Sequence, residues 1–167
     1  MTMQINHCGT CTACCNIFAI AELPDKPAGK WCTHCAVGVG CKIYEQRPAT
    51  CRMFECLWLI SQKQADPRNR LPAELRPDKS KVVFSPTTNE NVMAATTMPH
   101  SPDAWTHPRV TKLIDAMVRG GTAVVVGAPN ATNRTLIDGE GAHPVRMTEP
   151  DENGMQFNIP EPKEQRA

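Results

Sequence analysis

The sequence predicts an α+β protein: a small, irregular to helical cysteine-rich module, then a small α+β domain with one main helix on a short sheet. Three observations carry this expectation. All nine cysteines fall between Cys8 and Cys56, in the first third of a 167-residue chain. Residues 108–119 repeat apolar side chains at helical spacing. Short β-branched runs, such as Val82-Val83 and Val124-Val125-Val126, lie on either side of that helix.

The first element is the cysteine-rich module, residues 1–60. It is broken by turn signals, among them Leu23-Pro24-Asp25-Lys26-Pro27-Ala28-Gly29 and Val37-Gly38-Val39-Gly40. A boundary near residues 61–66 opens a polar, proline-marked connector that runs to residue 80. The small α+β domain, residues 81–148, begins with two strands, Lys81 to Phe84 and Val92 to Thr96, across a turn at Thr87 to Asn91. The main helix follows from Pro108 to Arg119. Proline is pre-organised for the first helical position, Thr106 or His107 supplies a cap, and Gly120-Gly121 ends it. Val110, Leu113, Ile114 and Met117 form its buried stripe. Thr122 to Val126 reads as a buried strand, and Thr135 to Ile137 pairs with Pro144 to Met147 across Asp138-Gly139-Glu140-Gly141. From Glu149 to residue 167 the chain is polar and proline-bearing, and is expected to be a flexible tail.

Composition narrows the function. The formal net charge is +1, with no basic block of the kind that nucleic acid or an anionic membrane surface requires. Neither partner is therefore expected. No apolar run approaches the roughly 20 residues of a membrane span. Met1 to His7 has neither a basic nor an apolar signal region, so a reducing cytoplasm is the expected compartment. Disulfides are disfavoured there, and nine cysteines cannot all pair. Core-filling thiols would not stop abruptly at Cys56.

The candidate metal ligands are Cys8, Cys11, Cys14, Cys15, Cys32, Cys35, Cys41, Cys51 and Cys56. Cys11-Cys14 and Cys32-Cys35 are CxxC pairs with 17 residues between them, a spacing typical of zinc sites. If Cys8 to Cys15 is helical, Cys8, Cys11 and Cys15 fall within roughly a 60° arc and Cys14 stands apart. Adjacent cysteines would then feed different metals, or one ligand would be spare. On a helix starting at Pro48, Cys51 and Cys56 would lie roughly 140° apart, also consistent with two sites. Four thiolates around Zn²⁺ leave a charge of about −2, which nearby cations should offset. Lys30, Lys42, Arg47 and Arg52 are interleaved with the cysteines. His7 and His34 are alternative ligands, whereas His100, His107 and His143 have no ligand spacing. Tyr44, Phe54, Trp58, Trp31 and Phe18 are able to wall the cluster from water.

The motifs Cys8-Gly9-Thr10-Cys11-Thr12-Ala13-Cys14-Cys15 and Cys41-Lys42-Ile43-Tyr44-Glu45-Gln46-Arg47-Pro48-Ala49-Thr50-Cys51-Arg52-Met53-Phe54-Glu55-Cys56 resemble the CxxCxxCC or YkgJ-like cysteine-cluster family, described as zinc- or iron-chelating. The resemblance covers about the first 58 residues. It implies a metal-binding role for the cysteines and leaves the metal open. A related cluster in flagellin lysine-N-methylases looks like an iron–sulfur site.

The leading expectation is a cytosolic protein holding zinc, iron or an iron–sulfur cluster, with the C-terminal domain as scaffold or docking surface for a protein partner. The cysteine spacing departs from the ferredoxin run. Thiol or metal redox sensing is the alternative, as is an accessory protein or enzyme that uses an iron–sulfur cluster. No Gly-rich phosphate loop, HExxH motif or nucleophile elbow points to catalysis.

Overall fold

A computed structural model describes residues 8–152, 156, 158 and 159. The protein is α+β. Its sheet has six strands in sequential order: β3 (Val82–Pro86), β4 (Val92–Thr97), β5 (Ala123–Gly127), β6 (Asn133–Asp138), β7 (Gly141–Met147) and β8 (Asn158–Ile159). A two-residue hairpin, β1 (Cys35–Ala36) and β2 (Gly40–Cys41), lies in the cysteine-rich part. The helices are α1 (Ala13–Ile17), α2 (Ala49–Met53), α3 (Leu57–Gln62), α4 (Pro77–Ser80) and α5 (Pro108–Arg119).

The main helix has the bounds expected from its apolar spacing and end signals. Pro108 opens it, and the backbone N–H of Arg109 donates to His107 Nδ1 at 3.3 Å. Gly120 closes it, and Gly121 turns the chain at φ 87°, a conformation open to glycine without strain. α5 makes the crossover between β4 and β5, the one parallel strand pair among the described residues. Val110 and Ile114 are buried against Val82, Phe84, Ala95, Val124 and Val126.

β3 decides how the cysteine-rich part sits. Alternate side chains of a strand point to opposite faces. Val82 and Phe84 enter the α5 core, whereas Val83 packs with Ala13, Ile17 and Met98 on the other side. A strand covered on both faces reads as a continuous apolar run, as Val82-Val83-Phe84 does.

The connector is folded onto its neighbours. Leu75 is buried in the α5 core. Trp58 Nε1 donates to the Pro72 carbonyl at 3.1 Å, and Gln62 Nε2 to that of Leu71 at 2.9 Å. Beyond Glu149, β8 pairs with β7, and Gln156 accepts a 2.6 Å hydrogen bond from Arg134. Most of the stretch read as a flexible tail, residues 153–155, 157 and 160–167, lies outside the described residues.

Candidate metal centre

The site begins in a turn. The N–H of Cys11 donates to the Cys8 carbonyl at 3.0 Å, and Gly9 adopts φ 57°. Thr12, at φ −120°, ψ 12°, is non-helical, so the helix starts only at Ala13. The condition of a helical run from Cys8 to Cys15 is not met: Cys8 and Cys11 precede the helix, and Cys14 and Cys15 ride on it. Ala13 and Ile17, four residues apart, anchor one face of α1 against Val83. The intervening Cys14 and Cys15 are thereby carried on other faces of the same short helix.

Lys26 secures the end of that helix. Its side chain is buried, and Nζ donates to the carbonyls of Asn16 (3.2 Å), Phe18 (2.5 Å) and Pro27 (2.9 Å). Helix ends leave carbonyls without intrahelical partners, and a cation is favoured there. Sequence reasoning passed over Lys26, because it sits in a proline-rich turn with no cysteine beside it. Its partners across the loop were the missing signal.

The next cysteines are fixed by backbone pairing. The N–H of Cys32 donates to the Cys15 carbonyl at 3.0 Å, and that of Cys35 to the Cys32 carbonyl at 3.0 Å. Cys35 stands opposite Cys41 in the β1–β2 hairpin. Gly38, at its turn, donates its N–H to Thr12 Oγ1 at 3.1 Å.

The last two cysteines correct another expectation. Cys51 lies on α2, but Phe54 is extended at φ −79°, ψ 128°, which ends that helix. Cys56 instead caps α3. They therefore occupy two helices separated by a bend. Glu22 accepts from Thr50 N–H (2.9 Å) and Oγ1 (2.7 Å), tying the start of α2 to the Lys26 loop.

All nine cysteines are free and half-buried, and all line one cavity of about 540 Å³. Phe18, Tyr44, Phe54 and Trp58 also line it, with Phe18 and Phe54 ring centroids 4.7 Å apart. Trp31, expected in the same wall, is instead exposed. His34 lines the cavity, and His7 lies outside the described residues. Among the described residues, no three Cys, His, Asp or Glu side chains are drawn together into a closed metal cage.

The thiols are electrostatically unequal. The hydrogen bond from Cys14, above all, brings the Cys15 thiol down from 9.0 to about 6, aided by Cys35, Lys26 and Arg47 against the opposing effect of burial. The same hydrogen bond, followed by burial, holds Cys14 well above the usual thiol range. Burial, then the nearby Cys15 charge, pushes Cys35 up to about 12 and Cys51 to about 11. Burial also raises Cys8, Cys11 and Cys56. One thiolate is thus favoured, and those beside it resist ionisation until a cation is supplied. In kind, thiols are the donors that thiophilic metals take.

Among the expected cations, Arg47 lines the cavity with its guanidinium 3.6 Å from the Tyr44 ring centroid. Lys30, Lys42 and Arg52 are exposed. Arg76 is a second residue that sequence reasoning missed. It pairs with Asp78 and donates to Thr10 Oγ1 at 3.1 Å, across 66 residues of sequence.

The chain matches no family model, no curated protein and no solved structure. No described helix is long and apolar enough to cross a membrane.

Proposed function

We propose that this protein binds zinc or iron, the latter alone or as an iron–sulfur cluster, through thiolates of its cysteine cluster. The observation that carries the reading is the lining of one cavity by all nine cysteines. The resemblance of the Cys8–Cys15 and Cys41–Cys56 motifs to the CxxCxxCC cluster family supports it. A bound metal would supply the positive charge that lets the raised thiols ionise. Phe18, Phe54 and Trp58 would limit water access, while Arg47 and Lys26 would offset negative charge. The proposed setting is a reducing compartment, where these thiols stay available.

One observation favours a second reading, metal-coupled redox sensing: Cys15 has a low pKa and is hydrogen-bonded to Cys35. Hydrogen peroxide could oxidise that pair to a disulfide, itself reduced to two waters, and the ligand set would lose its metal.

The first test is metal and sulfide analysis with a UV–visible spectrum, on protein purified without air. Zinc in a colourless protein, or iron with sulfide in a brown one, is the expected result. Protein that is metal-free and takes up neither zinc nor iron under reducing conditions overturns the proposal. Peroxide should release the metal if the sensing reading holds.

A further inference from the structure

We propose that Cys35 and Cys41 are a redox pair, which closes into a cross-strand disulfide under an oxidising thiol pool and reopens on reduction. The inference goes beyond the metal-binding reading and does not depend on it, because it rests on the backbone of one hairpin.

Register places the two thiols. Cys35 stands directly opposite Cys41 in the β1–β2 pair. The N–H of Lys42 donates to the His34 carbonyl at 2.8 Å, so the ladder bonds flank these two residues instead of joining them. They are therefore a non-hydrogen-bonded pair, in which opposed Cα atoms lie about 4.5 Å apart and side chains are closest. Disulfides span Cα separations of roughly 4.4–6.8 Å, and opposed residues project from the same face. Joining these two sulfurs asks for little movement of the backbone.

The hairpin also holds its register. The N–H of Val39 donates to the Ala36 carbonyl at 2.9 Å, and Gly38 takes φ 73° at the third position of that turn. The N–H of Gly38 is itself bonded to Thr12 Oγ1 at 3.1 Å, which ties the turn to the residue before α1. A slip of one residue would send Cys41 to the other face, and these bonds oppose it.

Cys35 has other thiols nearby. Cys32 opens the turn that Cys35 ends, its carbonyl accepting the Cys35 N–H at 3.0 Å, and Cys15 meets Cys35 from α1. Neither is aligned with it by a strand ladder. Cys35 and Cys41 are half-buried, while Val37 and Val39 between them are exposed, so a small solute reaches the hairpin from solvent.

Closure is a thiol–disulfide exchange with a low-molecular-weight disulfide such as glutathione disulfide. One thiolate of the pair attacks a glutathione sulfur, releasing one glutathione and leaving a mixed disulfide. The opposed thiolate then displaces the second glutathione. Two protein thiols are oxidised to one disulfide, glutathione disulfide is reduced to two thiols, and the two protons pass to these. Two of the nine thiols that line the cavity are then no longer free.

The test uses the full chain, reduced and stripped of metal, equilibrated in glutathione buffers of rising disulfide content. Remaining thiols are blocked with N-ethylmaleimide, and tryptic peptides are read without reduction. Trypsin separates Trp31–Lys42, which holds Cys32, Cys35 and Cys41, from Met1–Lys30 with the earlier cysteines. The first disulfide to form should lie within Trp31–Lys42 with label on Cys32 alone, and dithiothreitol should restore label at all three. Label on Cys41 with Cys32 joined to Cys35, or a cross-link from Cys35 to Met1–Lys30, overturns the proposal. So does a first disulfide elsewhere while Cys35 and Cys41 both stay labelled. Cys41→Ser should leave Cys35 labelled in the buffer that closes the wild-type pair. If that variant fails to fold, Cys15→Ser/Cys32→Ser should close Cys35 to Cys41 in the same buffer as wild type. Failure of the pair to close leaves the metal-binding reading standing, since metal content is measured separately.

Discussion

Burying an ammonium group is unfavourable by several kcal/mol unless its hydrogen bonds are replaced, and Lys26 replaces them with two carbonyls at the end of α1, Asn16 and Phe18, and that of Pro27 in its own loop. Burial draws its pKa down, while the Cys32, Cys15, Cys14 and Cys51 thiols draw it up. The reciprocal effect falls on Cys15, whose first cause of ionisation is the Cys14 hydrogen bond. In metal-free, reduced protein, iodoacetamide labelling of Cys15 should therefore follow a titration with its midpoint at about 6. A depressed thiol pKa contributes stability above the ordinary value of 9.0 and loses it as pH falls through about 6. The metal-free protein should lose this contribution over that interval. Lys26→Met should move the labelling midpoint upward, as mass spectrometry of the Cys15 peptide can record. An unchanged midpoint would mean that Cys15 does not feel the ammonium.

At the scale of elements, α5 gives the most direct measure of what apolar spacing contributes. Ile114 is buried between the helix and the sheet, on the side of β3 away from Ala13 and Ile17. Ile114→Ala should destabilise the chain by about 3 kcal/mol, the middle of the range for such a truncation. Urea unfolding would show it, with zinc stoichiometry unchanged in the folded variant. A loss below about 1 kcal/mol would place Ile114 outside the core. The same helix was legible in the sequence because Pro108, the Val110–Met117 spacing and Gly120 all act locally. The β6–β7 hairpin was legible for a similar reason, its two-residue turn at Gly139 and Glu140. The cysteine region lacks such periodicity. Its helix starts late because of Gly9 and Thr12, and its second motif bends at Phe54, a residue with no breaker signature. Lys26 and Arg76 escaped notice because their partners are remote in sequence. Leu71 and Leu75, set among polar and proline residues of the connector, gave no hint that they would pack into the α5 core.

Across the whole molecule, β3 couples the cysteine cluster to the sheet. Val83 is buried with Ala13 and Ile17 beneath α1, while Val82 and Phe84, its immediate neighbours, are buried with Val110 and Ile114. Loosening α1 therefore uncovers one face of a strand whose other face supports α5. Metal binding tightens α1 through Cys14 and Cys15 if the proposed ligands hold, and a ligand that binds only the folded chain stabilises it by mass action. At a free zinc concentration 100 times the Kd this amounts to about 2.7 kcal/mol for each ion bound. For a chain of this size the midpoint should rise by roughly 5–11 °C for each ion bound. Calorimetry with zinc, and then with excess chelator, should show a single transition that moves as a unit, because both cores share β3. Two transitions, only one of them zinc-sensitive, would mean that the Val83 contact is too weak to carry metal-linked stability from the cysteine cluster to the sheet.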